Sequence, residues 1–363
     1  MAAPEQLTVL SYVEAKAPRA SIAMPVYKAP RVSIGMPVYN AQRYLEGTLD
    51  SILAQSFRDF ELIISDNGST DRTEAICRDY ASRDSRISYF RHEENRGAGW
   101  NFQYVFHRAR GEYFKWNAYD DRLGPQFLEK CVALLDRTPE AVLAFTKYVD
   151  VDANGKASDT LSPVAMWLPR PHERFRELMP YHNCVEIFGL MRLAVLRQTP
   201  GSAAYAAADK VLIVELALHG IFAEVPEVLF FHGWHGENMY AKHPDPRDQH
   251  VRFWSDSTNQ GRLIFPYWRV VQEYLKALHR TPLPWKERIL CYWHLLYFEW
   301  RYERAYLHRD LAKPAWASMT AFAKNHCPWL RTPWRMWKAF LDVLPPDSVV
   351  SRALRFLLLA PPR

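Results

Sequence analysis

From Val32 onward, short apolar runs with a period of two alternate with longer stretches of helical period. Val32–Val38 is rich in β-branched residues and reads as a strand, with Pro37 marking its end. Leu45, Leu49, Ile52 and Leu53 share one stripe, which predicts a helix over Tyr44–Ala54. Phe60–Ser65 is a short buried strand. Asp66–Asp71 is turn chemistry, and Thr70 or Asp71 can cap a helix running through Tyr80. Ile87–Arg91 and Tyr113–Trp116 are further strands, separated by a loop over Asn95–Gly99 and a helix to about Arg108. A helix over Gly124–Arg137 and a strand over Ala141–Val149 follow. After an apolar run at Val185–Met191 come a helix over Asp209–Leu218, stopped by Gly220, and two short paired strands, Ile221–Val225 and Val228–Phe231. Beyond Lys242 the alternation ends. Long aromatic helical stretches take over: Phe253–Leu278, Trp285–Leu307, Pro314–Lys324 and Trp334–Leu344.

Strands alternating with helices predict an α/β fold, a Rossmann-like parallel sheet with helices on both faces. In such sheets ligands sit at the carboxyl ends of the strands, near the switch in strand order. The unusual residues fall at those ends: "PVYN" after the first strand, "SDNGS" after the second, "NRGAGWN" after the third and "YDD" after the fourth. The change of texture places a boundary near residue 243. The start holds a repeat: Pro18–Ala29 and Pro30–Ala41 agree at nine of twelve positions. The second copy feeds a helix and another strand, as a βαβ crossover requires; the first feeds only the second copy. The core strand is therefore assigned to Val32–Val38, giving an N-terminal extension (1–30), expected to be mobile, an α/β unit (31–242) and a helical C-terminal region (243–363).

Composition narrows the partners. The net charge of +6 and pI near 9.0 suit anionic partners without choosing among nucleotides, phospholipid headgroups and nucleic acid. The basic residues are dispersed rather than clustered, so no nucleic-acid partner is expected. The five cysteines are scattered without a C-x-x-C pair and read as reduced thiols in a cytoplasmic protein. No leader and no membrane span are expected. Nine of the thirteen tryptophans lie after residue 250. With the interspersed Arg and Lys they admit two readings: a helical bundle packed on the first unit, or peripheral contact with the inner face of a membrane through the C-terminal helices. The closing "RALRFLLLAPPR" is the strongest candidate for that contact.

The ordered set "VSIGMPVYNAQRYLEGTLDSILAQSFRDFELIISDNGSTD", "NRGAGWNF", "GEYFKWNAYDD" and "FGLMR…ADKVLIVELALHGIFAEVPEVLF" resembles a bacterial family 2 glycosyltransferase over about residues 31–236. The resemblance implies the GT-A nucleotide-diphospho-sugar transferase fold. It also implies an inverting, metal-dependent transfer of a sugar from a nucleotide diphosphate donor, UDP before dTDP or GDP, to a hydroxyl on a glycan or lipid-linked acceptor. The alternative is a non-catalytic glycan- or nucleotide-binding scaffold. A nucleotidyltransferase would need a basic Gly-rich first loop, which "GMPVYNAQRY" lacks.

Residue by residue, the resemblance puts a divalent cation, Mn2+ or Mg2+, on Asp121, with Asp120 at ribose or metal; by itself the pair also reads as an ordinary turn. His235 becomes a second metal or diphosphate contact, or a structural histidine flanked by His232 and Trp234. Pro37, Tyr39 and Asn40 form the first nucleotide loop, and Glu46 is either part of it or a solvated helix residue. Asp66 and Asn67 fall where the family binds the base, commonly with Asp-Asp; an amide oxygen at Asn67 can still accept a hydrogen bond. Asn95, Gly97 and Asn101 match an Asn-x-Gly…Asn element. Lys115 and Trp116 read as surface charge and core. Asp209 falls on the catalytic base, with a helix cap as its plain reading and Glu215 as the nearest other acid. Phe188–Arg192 resembles an acceptor-pocket segment, in which Arg192 may also be read as structural.

Overall fold

The computed structural model describes residues 29–163, 166–180, 184–205, 207–235, 266–299 and 301. The first copy of the repeat, the 242/243 boundary and the helical stretches after residue 301 lie outside the described residues. The elements, in order, are β1 (Val32–Val38), α1 (Leu45–Leu53), β2 (Phe60–Asp66), α2 (Thr73–Arg83), β3 (Ile87–Arg91), α3 (Ala98–Arg108), β4 (Tyr113–Trp116), β5 (Arg122–Leu123) and α4 (Phe127–Arg137). Then follow β6 (Ala141–Val151), α5 (Pro171–Leu178), a 3-10 turn (Val185–Phe188), β7 (Leu190–Arg192), α6 (Leu193–Leu196), α7 (Ala208–His219), β8 (Ile221–Gly233), α8 (Pro266–Arg280) and α9 (Trp285–Phe298).

One eight-stranded sheet, ordered β3-β2-β1-β4-β7-β6-β8-β5, organises these elements. The first four strands in that order are parallel, as the pattern predicts. The wholly parallel reading is corrected by β7, which runs antiparallel between β4 and β6. The two short strands expected over Ile221–Phe231 are one continuous strand: β8 pairs parallel with β6 along its length, with shifts in register where Val225 and Val228 face Thr146 and Lys147. Pro226 between them has no N–H for a ladder bond, and a bulge absorbs it without ending the strand. The strand period decides the two cores. Leu62 and Ile64 face α1, α2 and α4 in one cluster, whereas Ile63, Phe114 and Trp116 face α3 and α7 in the other, which α5, α8 and α9 extend. Helices α8 and α9 thus pack on α5 and α7 over one face of the sheet. Glu215 of α7, almost fully buried, meets the Arg280 guanidinium of α8 through two bonds of 2.8 Å, and α9 sends Glu287 to Arg170, the cap of α5, and His172 in its first turn.

Gly220 turns α7 into β8 where an added Cβ would run into the Glu140 carbonyl oxygen and stand 2.5 Å from Val142 Cγ1. The backbone oxygen cannot swing away. Gly220→Ala is therefore expected to destabilise the fold by about 1–3 kcal/mol. A urea titration checks this: the midpoint falls and the slope stays unchanged.

Candidate active site

The carboxyl ends of β1, β2 and β4 converge on three loops held together by amide side chains. Asn101 of α3, buried, donates through Nδ2 to the Val38 carbonyl at the end of β1 (3.3 Å) and the Ser65 carbonyl of β2 (3.0 Å), and its Oδ1 accepts the Ser65 hydroxyl. Pro37 pairs with Ser65 in the parallel register beside it. Asn40 follows β1 in the left-handed region (φ 49), which Asn tolerates. Its N–H donates to Ser69 Oγ and its Oδ1 accepts the Thr70 N–H, each at 2.9 Å. Tyr39 stands exposed beside it, and Glu46 lies exposed in the first turn of α1.

Asp66 is fully buried, with both carboxylate oxygens engaged: Oδ1 by the Ser69 N–H (2.9 Å) and Oδ2 by the Tyr89 hydroxyl (2.7 Å). It shapes the turn after β2. Asn67 donates through Nδ2 to Asn95 Oδ1 (2.8 Å) and the Gly97 carbonyl (3.1 Å), while its Oδ1 accepts the Arg96 N–H (3.0 Å). Asn95 Oδ1 also accepts the Gly97 N–H at 2.9 Å. Gly97 itself has φ 90 with open space where a Cβ would stand, so the loop needs its conformational freedom and not its small size. These bonds explain why Asn occupies position 67. A carboxylate there would set two acceptors against Asn95 Oδ1 and the Gly97 carbonyl. Asn67→Asp is expected to loosen the 95–97 loop by roughly 1–2 kcal/mol, because the buried side chain at position 67 loses both bonds it donates to that loop. Faster amide exchange at Arg96 and Gly97 checks this.

The acidic pair sits just past β4. Thr48 Oγ1 of α1 donates to the Tyr119 carbonyl (2.8 Å), and Asn117 bonds through its amide to the Ala118 carbonyl (2.8 Å). Asp121 is 1% exposed: its Oδ1 accepts the Gly233 N–H at 2.9 Å, and its Oδ2 is enclosed without a hydrogen-bond partner. The close approach depends on Gly233, where a Cβ would stand 2.6 Å from the Asp120 carbonyl oxygen. Asp120, partly exposed, places Oδ2 3.0 Å from His235 Nε2, and the His235 ring stacks on Tyr44 with centroids 4.1 Å apart. His235 Nδ1 is likewise buried without a partner.

Two cations surround this pair. Burial pulls His232 down, but the bond from its Nδ1 to Asp150 (2.7 Å) and the Asp121 charge outweigh burial and hold it charged up to about 9. Lys115 corrects the surface reading: it is fully buried, with Nζ donating to the Trp116 carbonyl and Asn117 Oδ1, both at 2.9 Å, between the rings of Phe127 and Phe230. Burial lowers its pKa, and burial raises that of Asp121 while His232, the Gly233 N–H and Lys115 oppose the rise.

Asp209 lies in the first turn of α7, its Oδ1 accepting the Lys210 N–H at 2.8 Å; the cap position belongs to Ala207. Because α7 leads directly into β8, which is parallel to β6, its N-terminus lies at the same sheet edge as the acidic pair. The segment before it packs on the start of α3, where a Cβ on Gly99 would stand 2.8 Å from Ala204 Cα. Arg192 takes the structural one of its two readings. At the amino end of β4 it faces Tyr113, and its guanidinium donates to the carbonyls of Leu135, Thr138 and Ala141. Phe188 stacks on Phe230, 5.8 Å between centroids.

Among the described residues no group of three or more His, Cys, Asp and Glu is gathered for an ion. The donor set nonetheless fits one: an enclosed carboxylate oxygen without a partner among the described residues, beside a second carboxylate, suits a hard divalent cation. Sequence reasoning missed the buried Lys115, the His232–Asp150 pair and the Tyr44 stack. Lys115 alone carried a signal, its place between aromatic residues on a central strand.

Residues 33–199 match the model of the family described as Glycosyl transferase family 2. The uncharacterised glycosyltransferase RT0329 of Rickettsia typhi is 35% identical over 137 residues, 38% of this chain and 38% of its own. The uncharacterised glycosyltransferase MJ1057 of Methanocaldococcus jannaschii is 31% identical over 123 residues, 34% of this chain and 42% of its own. The chain thus spans less than half the length of these relatives. Among solved structures, S. aureus TarS 1–349 in complex with UDP superimposes with a TM-score of 0.54 at 16% identity, covering 89% of this chain and 87% of that one. The likeness is one of fold, the GT-A arrangement.

Proposed function

We propose that this protein, whose residues 33–199 match the glycosyl transferase family 2 model, is an inverting, metal-dependent glycosyltransferase. Its donor is a nucleotide diphosphate sugar, with UDP as the nucleotide, and its acceptor is a hydroxyl of a glycan or glycolipid. The observation that carries the reading is the enclosed, unpartnered Asp121 Oδ2 at the end of β4, beside Asp120 and His235. TarS, of the same fold, was solved with UDP, which supports that nucleotide.

The nucleotide lies over the β1 and β2 ends. Tyr39, exposed there, offers its ring to the base, while Pro37, Asn40, Asp66, Asn67, Asn95, Gly97 and Asn101 shape and brace the floor; Glu46 borders it. Asp120 would face ribose or the cation, and Asp121 with His235 would hold the cation. When bound, Mn2+ or Mg2+ supplies Lewis-acid stabilisation of the leaving diphosphate. Asp209 accepts the acceptor hydroxyl's proton as that oxygen bonds to the anomeric carbon; the bond from that carbon to the diphosphate oxygen breaks, and the nucleoside diphosphate leaves with the electron pair. Incubating the purified protein with UDP-, dTDP- and GDP-sugars plus manganese, and following released nucleotide, tests this. Release from one donor, abolished by chelation, is expected. Silence with every donor, in the presence of glycan acceptors, favours the scaffold.

A further inference from the structure

Helix α9 turns two opposite faces outward and inward. Cys291, Leu295 and Phe298 are buried against α5 and α8, and Glu287, the only acid in Trp285–Phe298, is turned the same way, accepting from Arg170 and His172. On the other side Trp285, Ile289, Trp293 and Leu296 follow one another at i, i+4, i+8 and i+11, and Tyr297 extends the stripe. Trp285 and Trp293 are each 66% exposed, Leu296 67% and Ile289 54%. Lys286 shares this face, its Nζ 5.6 Å from the Trp285 ring centroid.

Two solvent-facing tryptophans in one helical stripe are costly in water and suited to the headgroup level of a bilayer, where an indole buries its rings and keeps its N–H hydrated. Charge points to the same occupant. Residues 266–363 hold sixteen Lys and Arg against seven Asp and Glu, whereas residues 1–265 hold 30 against 33, so the basic surplus of the chain lies wholly in the part that follows the catalytic unit. With Lys286 on the face itself, this surplus in the surrounding sequence favours an occupant that is both apolar and anionic. None of the described helices is long and apolar enough to cross a membrane, which leaves a helix lying in the interface plane.

We propose that the Trp285–Ile289–Trp293–Leu296 face of α9 docks this protein onto the surface of an anionic phospholipid bilayer. Resting on the transferase reading, the docking makes the acceptor lipid-linked and replaces the closing "RALRFLLLAPPR" with α9 as the primary contact. The docking itself is read without any chemistry.

The test is co-flotation of the full chain with vesicles of phosphatidylcholine alone and of phosphatidylcholine with phosphatidylglycerol, at low and high salt, for the wild type and for Trp285→Ala/Trp293→Ala. Both side chains are mostly exposed, so the variant keeps the core, and neither residue belongs to the donor site. The expected result is binding to the phosphatidylglycerol vesicles that falls with salt, and about tenfold weaker partitioning of the variant at unchanged donor hydrolysis. Three results would overturn the proposal: no binding to anionic vesicles, equal binding of wild type and variant, or a dimer in solution that the double substitution dissolves, which would give the face to a second copy. Docking without metal-dependent binding of UDP, dTDP or GDP would leave this proposal standing and remove the transferase reading.

Discussion

Asp121→Asn is expected to lower sugar transfer by roughly 10^2–10^3-fold, the scale of losing one preorganised charge-stabilising group. The substitution is nearly isosteric. An amide oxygen still accepts the Gly233 N–H at 2.9 Å, so the join between β4 and the end of β8 survives. What changes is the enclosed Oδ2, which no donor among the described residues satisfies. An NH2 group there presents hydrogens where a cation needs a lone pair. The loss should appear in turnover together with weaker retention of manganese, and raising the metal concentration should recover only part of the rate. Steady-state kinetics across a manganese titration measures both. A variant within tenfold of the wild type would make the pair an ordinary turn.

Asp209→Asn should cost about 10^2–10^4-fold in turnover, the usual worth of a positioned general base, with donor affinity and metal dependence unchanged. The side chain is partly exposed, and its bond from the Lys210 N–H is as well accepted by an amide oxygen. Helix α7 therefore keeps its start. If the carboxylate serves only the helix, its charge beside the first turn contributes at most about 1 kcal/mol of stability and nothing to the rate. A comparison of kcat with the donor dissociation constant separates the two roles.

The parallel half of the fold was legible from the period of the apolar positions, and β1, β3 and β4 fall on their expected residues. The mixed half was not, for physical reasons. Strand β7 has three residues, too few to display alternation, and takes its direction from the strands on either side. Helix α5 buries His172 and Arg174 along with Phe175, so its apolar stripe is broken by polar groups whose partners, the Ala217 carbonyl and Glu287, are distant in sequence. Strand β8 contains a proline that reads as a break until β6 supplies a bulged partner. The site divides in the same way. The strand-end position of Asp120 and Asp121 follows from the pattern "YFKWNAYDD". The satisfaction of Asp66 by Tyr89, and of Asn67 by residues 28 to 30 positions later, exists only once β3 and α3 are in place. Lys115 was misread because a lysine looks like surface wherever burial on both faces of a central strand is unseen.

The central claim is that this sheet edge binds a nucleoside diphosphate through a divalent cation. Calorimetry of the full chain with UDP, dTDP and GDP, each with manganese and with chelator, tests it most directly. The account predicts saturable binding of one of them, UDP first, that disappears on chelation and in Asp121→Asn. Binding of none of the three, or binding of equal strength without metal, would contradict it.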